Sequence, residues 1–287
     1  MNLFERLVDQ AMRSQPLLAP LRVVVEKELL HHDILREMSR AGFLNNLTFI
    51  GGTCLRACYG SQRLSEDLDF TGGADFSRRA LAELGKILVA RLEIKYGLPV
   101  EVSEPRRETG NVDTWKLLVV TRPAHRQLPA QRINIDICAL PSHERRPMML
   151  RNHYGVEMGT SGLILQAQSR EEILADKIVA LALRPNRIKN RDLWDIVWLK
   201  QQGIELPVKL VLEKVQDRRQ DSLVFLELLQ QRQALLRSDP GSRKDFLAEM
   251  RRFLPPAVVG ESFEKDEFWS YLVNLVADEC ARVRREA

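Results

Sequence analysis

Asp67 and Asp69 stand one residue apart in "LSEDLDF" (residues 64–70). Side chains on a strand alternate between faces, so Leu64, Glu66, Leu68 and Phe70 share one face while Ser65, Asp67 and Asp69 share the other. Two carboxylates that point the same way form a hard-oxygen site suited to Mg²⁺, which takes one or two carboxylates and leaves its other positions to water and substrate phosphates. Asp136 in "RINIDICAL" (132–140) is a candidate third acid, because alternation sets Asn134 and Asp136 against Ile133, Ile135 and Ile137. If that strand lies beside the first, three acids converge on one or two divalent ions that hold the attacking and leaving oxygens of a phosphoryl transfer.

Just upstream, "FIGGTCLRACYG" (49–60) pairs a short apolar strand with two glycines and a helical pattern. Gly51 and Gly52 let backbone approach a phosphate closely, and a helix starting near Thr53 offers unpaired N–H groups and a positive dipole end to the same anion. Taken singly, these features are ordinary: a D-x-D pair is usually a solvated strand face, a glycine pair a turn, a lone strand aspartate an edge residue. Their combination, followed by Arg63, Ser65, Asp67 and Asp69, points to a triphosphate cradle with metal on one side and a helix terminus on the other.

The elements that must position these residues read as α+β followed by α. Residues 21–44 carry Val25, Leu29, Ile34 and Met38 at helical intervals with charges between them, an amphipathic pattern that Gly42 ends. After the strand, glycine turn and short helix, residues 78–98 are helical, and "PVEVSEP", "TWKLLVVTR" and "RINIDICAL" are three further strands. Strand signals stop near residue 165. The capping box Ser169-x-x-Glu172 then opens a helix halted by Pro185, and the remainder is helical. The expected organisation is a core with a mixed β-sheet and flanking helices over 1–165 and a helical domain over 166–287.

Composition narrows the classes without choosing among them. The 287 residues include 43 Lys and Arg against 39 Asp and Glu, a net charge of +4, which permits a nucleic-acid partner without demanding one. No run reaches the roughly 18–20 apolar residues of a membrane span, and the first twenty residues lack the ordered parts of a secretion signal, so a cytoplasmic location is expected. Cys54, Cys58, Cys138 and Cys280 form no CxxC pair, and the histidines lack metal-ligand spacing; the cysteines read as reduced packing residues rather than a zinc site.

The stretch "FIGGTCLRACYGSQRLSEDLDF" resembles the opening motif of the nucleotidyltransferase superfamily, in the AbiEii/AbiGii branch of type IV toxin–antitoxin toxins that includes the MenT toxins. Gly51, Gly52, Thr53, Leu55, Arg56, Arg63, Ser65, Asp67 and Asp69 all match the branch pattern GGT-x-L-R, then R-x-S-x-D-x-D. The superfamily's common Gly-Ser is Gly-Gly here, which passes the serine contact to phosphate to Ser65 or Thr53. A second match, "REEILADKIVALALRPNRIKNRDLWDIVWL" (170–199), resembles the branch's E-x-x-x-A-x-K-x-x-A-L segment and R-D-x-x-D motif. The resemblance implies that Lys177 meets nucleotide phosphates and that Arg191, Asp192 and Asp195 are the R-D-x-x-D residues. Helical spacing allows Arg191 to pair with Asp195. Lys177, opposite Leu174, Ile178 and Leu181, is expected to project away from the helical core.

The resemblance further implies a Mg²⁺-dependent (or Mn²⁺-dependent) enzyme that uses an NTP, an RNA acceptor such as the tRNA 3′ end, and a cognate antitoxin encoded alongside. Two basic runs, Arg184, Arg187, Lys189 and Arg191, and Arg145, Arg146 and Arg151, are either solvated faces or a phosphate track for that RNA. No aromatic residue interleaves with either, so single-strand stacking is not supported. Other classes stay open: a scaffold that binds nucleotide or RNA without catalysis, and nucleotidyl transfer to a small molecule or protein.

Overall fold

A computed structural model describes residues 1–105, 111–124, 127 and 129–287, apart from the side chains of residues 261 and 262. The chain divides into two compact units, Met1–Gln168 and Ser169–Ala287. The first contains helices α1 (Leu3–Ser14) and α2 (Arg22–Arg40), strand β1 (Thr48–Ile50), the short helix α3 (Gly51–Cys54), β2 (Leu68–Thr71), α4 (Leu84–Tyr96), β3 (Val100–Ser103), β4 (Val112–Val119), β5 (Gln131–Cys138), β6 (Arg145–Met149) and β7 (Ile164–Gln168). Helix α3 continues into one wider turn, Leu55–Tyr59, and stops at Gly60, whose φ of 83° is left-handed.

The seven strands form one mixed sheet in the order β3-β4-β5-β2-β1-β7-β6. Strand β5 runs parallel to β2 with Asp136 opposite Asp69, and antiparallel to β4 with Thr114 opposite Asp136. Leu68, Phe70, Trp115, Leu117, Ile133, Ile135 and Ile137 are buried on one face. Asp69, Thr114, Asn134 and Asp136 alternate with them and are only partly covered. The period-two pattern therefore gives the sheet an apolar face and an open polar one.

Helix α2 departs from the amphipathic expectation, since nearly its whole circumference is buried, charges included. Those charges are held by partners: Glu28 by Arg56 at 3.1 Å, Asp33 by Lys95 and by Arg36 at 2.8 Å, and Glu26 by Gln131 at 2.6 Å. A buried ion costs several kcal/mol in lost hydration unless it is paired in this way. The sequence pattern marked the charges correctly and misplaced their environment.

Three other elements differ from expectation. The strand carrying the D-x-D pair begins at Leu68 rather than Leu64, because Ser65 N–H donates to Glu28 Oε1 at 2.9 Å and the Asp67 carbonyl accepts from Thr53, which hold that stretch out of the ladder. Strand β6 lies in a segment read only as basic; it is an edge strand interrupted by Pro147, with neither alternation nor β-branched residues to announce it. Strand β7 pairs parallel with β1, Phe49 against Ala167, and reaches Gln168, past the point where strand signals fade.

The second unit contains α5 (Arg170–Leu183), α6 (Asn190–Gln201), α7 (Val208–Asp217), α8 (Ser222–Ser238), α9 (Pro240–Met250), the short α10 (Pro256–Val258) and α11 (Asp266–Glu286). Ser169 Oγ caps α5 by accepting from Glu172 N–H at 3.0 Å, while the Glu172 carboxylate pairs with Lys214 at 2.7 Å. Trp194 packs against Phe263 and Phe268, with ring centroids 6.0 and 6.1 Å apart. No helix among the described residues is long and apolar enough to cross a membrane.

Two buried histidines and one half-buried one surround Glu28 and Arg56: His31 reaches the Glu66 carbonyl at 3.0 Å, His32 the Thr160 hydroxyl at 2.8 Å, and the half-buried His153 the Arg56 carbonyl at 2.9 Å. Burial lowers all three, His32 to about 4. Below pH 6.5 the unfolded chain takes up a proton that the folded His32 refuses, so stability is complete above that pH and declines as pH falls toward 4. The His32 contribution alone is about 3 kcal/mol. Thermal melts should show a midpoint that drops steadily between pH 7 and pH 5, and His32→Gln should flatten that dependence.

Candidate active site

The open sheet face brings three acids together. Asp69 and Asp136 are lateral register partners on β2 and β5, with Cα atoms about 4.8 Å apart at ordinary strand spacing. Asp67 immediately precedes β2, and its Oδ1 accepts from the Asn134 N–H of β5 at 3.0 Å. Thr114 on β4 donates its hydroxyl to Asp136 Oδ1 at 2.6 Å. Asp67 and Asp136 are each oriented through one oxygen by the strand alongside.

The glycine turn closes against this face. Gly51 has a φ of 75°, and a Cβ at that position would stand 2.9 Å from Asp69 Oδ2. Two constraints thus meet in one residue: a left-handed backbone and no room for a side chain beside the carboxylate. Helix α3 starts at Gly51, two residues before Thr53, and Ile50 gives it no side-chain cap. Three carboxylates beside a glycine that a methyl group would crowd suit a divalent cation by donor type. Among the described residues no cluster of three acids, histidines or cysteines stands preassembled at ligating distances.

Other residues matched to the opening motif support the turn. Thr53 and Ser65 are buried, with their hydroxyls 2.6 Å apart, and Thr53 also donates to the Asp67 carbonyl. Arg56 is buried against Glu28 and donates to the Ser61 carbonyl at 3.0 Å. Arg63 is 2% exposed and donates to the Leu64 carbonyl at 3.0 Å. Glu28, on α2, gathers this region: besides Arg56 and Ser65 N–H it accepts from the Tyr154 hydroxyl. Burial pushes its pKa up, but Arg56, Tyr154 and Ser65 together outweigh that and hold it below the usual carboxylate range.

Sequence reasoning missed Glu28 and Thr114. Glu28 sits in a helix whose charges looked solvated. Thr114 becomes visible only once the β4/β5 register is known.

In the second unit, Lys177 Nζ lies 2.5 Å from Asp192 Oδ1 and 2.9 Å from Asp195 Oδ2, and Arg184 meets Asp192 Oδ2 at 3.2 Å. Lys177 is 8% exposed, so it does not project from the helical core as spacing suggested; the two carboxylates draw it in. Burial works against ionised Asp192, yet Lys177, Lys189 and Arg184 hold it well below the ordinary carboxylate range. Arg191 reaches Glu249 at 3.2 Å and lies over the Phe253 ring. Arg184 and Arg191 are therefore engaged in ion pairs, which removes them from a freely available basic run.

The sequence over residues 33–272 matches the family described as nucleotidyl transferase AbiEii toxin, type IV TA system. The chain belongs to the AbiEii family. It is a nucleotidyltransferase of the type IV toxin–antitoxin class. Among solved structures it is similar to MenT4, a nucleotidyltransferase toxin of Mycobacterium tuberculosis H37Rv, at 16% identity and a TM-score of 0.55 over 96% of this chain and 98% of that one. JHP933 from Helicobacter pylori matches at 15% identity and a TM-score of 0.48, covering 92% of this chain and 95% of that one. No curated protein matches the sequence. At these identities MenT4 shows a shared fold, and the AbiEii assignment rests on the family match.

Two substitutions separate positioning from folding. Gly51→Ala should cost about 1–2 kcal/mol of stability for its left-handed backbone and lower nucleotidyl transfer about a hundredfold through displacement of Asp69, measured by thermal melt and by turnover. Lys177→Met leaves two buried carboxylates facing each other and should destabilise the protein by about 3–5 kcal/mol. The double variant Lys177→Met/Asp192→Asn should recover part of that loss in denaturant titrations.

Proposed function

We propose that this AbiEii protein transfers a nucleoside monophosphate from an NTP to an RNA acceptor, the tRNA 3′ end being the acceptor the family resemblance implies. The register of β2 against β5, with Asp69 level with Asp136 and Asp67 one step before, carries this reading: it gathers acidic oxygens on an open face beside a glycine turn that has no room for a Cβ. Asp67, Asp69 and Asp136 would hold Mg²⁺, or Mn²⁺ in its place. Such an ion supplies charge neutralisation for the phosphates and for the oxygens entering and leaving phosphorus.

The chain's own residues set the rest. Gly51 and Gly52 admit the triphosphate to the start of α3, whose first N–H groups have no side-chain cap. Thr53, Ser65, Arg56 and Arg63 hold that turn from behind. Their burial supports positioning roles for them. The family resemblance gives Lys177 the role of meeting nucleotide phosphates; within the second unit Asp192 and Asp195 fix its ammonium and Arg191 braces α6 through Glu249. The acceptor hydroxyl attacks the α-phosphorus, the new P–O bond forms as the bond to the bridging oxygen breaks, and pyrophosphate leaves in line. As a toxin acting in the cytoplasm, the enzyme would arrest growth until its cognate antitoxin neutralises it.

The test is incubation of purified protein with Mg²⁺, each α-³²P-labelled NTP in turn and total bacterial RNA, resolved on a denaturing gel. Label at tRNA size is expected with the parent protein and absent with Asp69→Asn, which keeps the shape but weakens the metal ligand. Label confined to protein or small-molecule fractions would move the acceptor to those classes, and label in none would leave a non-catalytic binding scaffold.

A further inference from the structure

The acids do not have the open sheet face to themselves. Lys116 on β4 is the register partner of Asn134, whose backbone N–H holds Asp67, so Lys116, Asn134 and Asp67 form one row from β4 across β5 to the residue just before β2. Arg132 is on β5 two residues before Asn134, opposite Leu118, and the period of two puts its side chain on the same face as Lys116 and Asp136. Both cations are exposed. Among the described residues neither has an ion pair or a side-chain hydrogen bond, in contrast to Arg184 and Arg191, engaged by Asp192 and Glu249.

Strand geometry gives their reach. Neighbouring strands are about 4.8 Å apart, so the Cα atoms of Lys116 and Asp67, two strands apart, are separated by about 10 Å, and Arg132 lies about 7 Å along β5 from Asn134. Successive phosphates of a single strand are separated by several ångströms, which matches a pair of cations on adjacent strands. A cation that stands near three carboxylates without pairing to them is available to an anion that approaches the acids from the β3–β4 side. Lys116 and Arg132 also differ in kind: the lysine is a point charge on a flexible stem, the arginine a planar fork that grips a phosphate through two N–H groups.

We propose that Lys116 and Arg132 form a phosphate track that positions the backbone of the RNA acceptor leading into the acid cluster. The proposal rests on the RNA-acceptor reading above and places the track on β4 and β5, on residues outside the two basic runs of the sequence. Such contacts bind backbone and read no base, so they govern affinity and alignment of the acceptor and leave NTP choice untouched.

The test uses full-length protein, Lys116→Gln, Arg132→Gln and the double variant; both positions are exposed, and a thermal melt checks that folding is unchanged. Steady-state transfer with total tRNA varied at saturating NTP should show KM for RNA raised about tenfold in the double variant, with KM for NTP unchanged. Anisotropy of a fluorescent tRNA bound in the Asp69→Asn background should show the slope of log affinity against log salt reduced by about 1 for each residue removed. A rise in KM for NTP with KM for RNA unchanged would assign the two cations to the triphosphate and overturn the track, as would identical RNA binding and salt slope in parent and double variant. If the parent protein transfers no label to RNA, the acceptor reading fails by itself; the binding arm still tests the track, which stands if RNA affinity depends on Lys116 and Arg132 and falls if it does not.

Discussion

The parallel pairing of β2 with β5 is the constraint on which the acid cluster depends. Asp67 and Asp69 lie at the start of β2 and Asp136 on a strand more than sixty residues later, after α4, β3 and β4 have intervened. Asp69 and Asp136 stand level because Leu68 and Phe70 on one strand and Ile135 and Ile137 on the other are buried on the opposite face. A slip of one residue would turn these apolar side chains to solvent and drive carboxylates into the core. Each buried side chain of this kind is worth roughly 1.5–3 kcal/mol, so the core penalises any register that would scatter the acids. The placement of the acids is thereby set from the far side of the sheet.

A second layer of control is ionic and sits behind the glycine turn. Glu28 receives Arg56, the Tyr154 hydroxyl and the Ser65 N–H, which ties α2 to the turn after α3 and to the segment leading into β2. Replacing such a hub by apolar residues need not reduce stability, since desolvation offsets much of the attraction. What an ionic hub supplies here is direction, because hydrogen bonds from three segments converge on one carboxylate and fix where Ser65 enters. The Arg56 and Ser65 of the family motif both meet Glu28 and so hold the backbone on either side of the glycine turn and the D-x-D pair.

Much of this was legible in the sequence, and the losses have identifiable causes. The α+β class, the D-x-D pair on one face and the AbiEii membership could be read from period-two alternation and from one dense motif. Alternation predicts which side chains share a face of a strand; it is silent on which strands are neighbours, so Thr114 as the partner of Asp136 stayed hidden until the register was known. Strand β6 was missed because an edge strand built around Pro147 carries none of the signals of a buried one. Lys177 was misjudged for a different reason. Helical spacing gave its angle relative to Leu174, Ile178 and Leu181, but its position is decided by Asp192 and Asp195 on the next helix, and contacts between helices leave no local trace.

The same distinction applies to charge. Counting cations along the chain singled out the stretch from Arg184 to Arg191, where four basic residues fall close together. In three dimensions Arg184 serves Asp192 and Arg191 serves Glu249, so two of the four are already spent within their own unit. Lys116 and Arg132 are sixteen residues apart and form no run, yet they share a sheet face and have no ion pair among the described residues. A surface attracts phosphate according to the charge left after internal pairing, because a neutralised ion presents only a dipole to an incoming anion while an unpaired one presents its full field. Sequence clustering measures how many cations are near one another along the chain; pairing decides how many of them a ligand can meet.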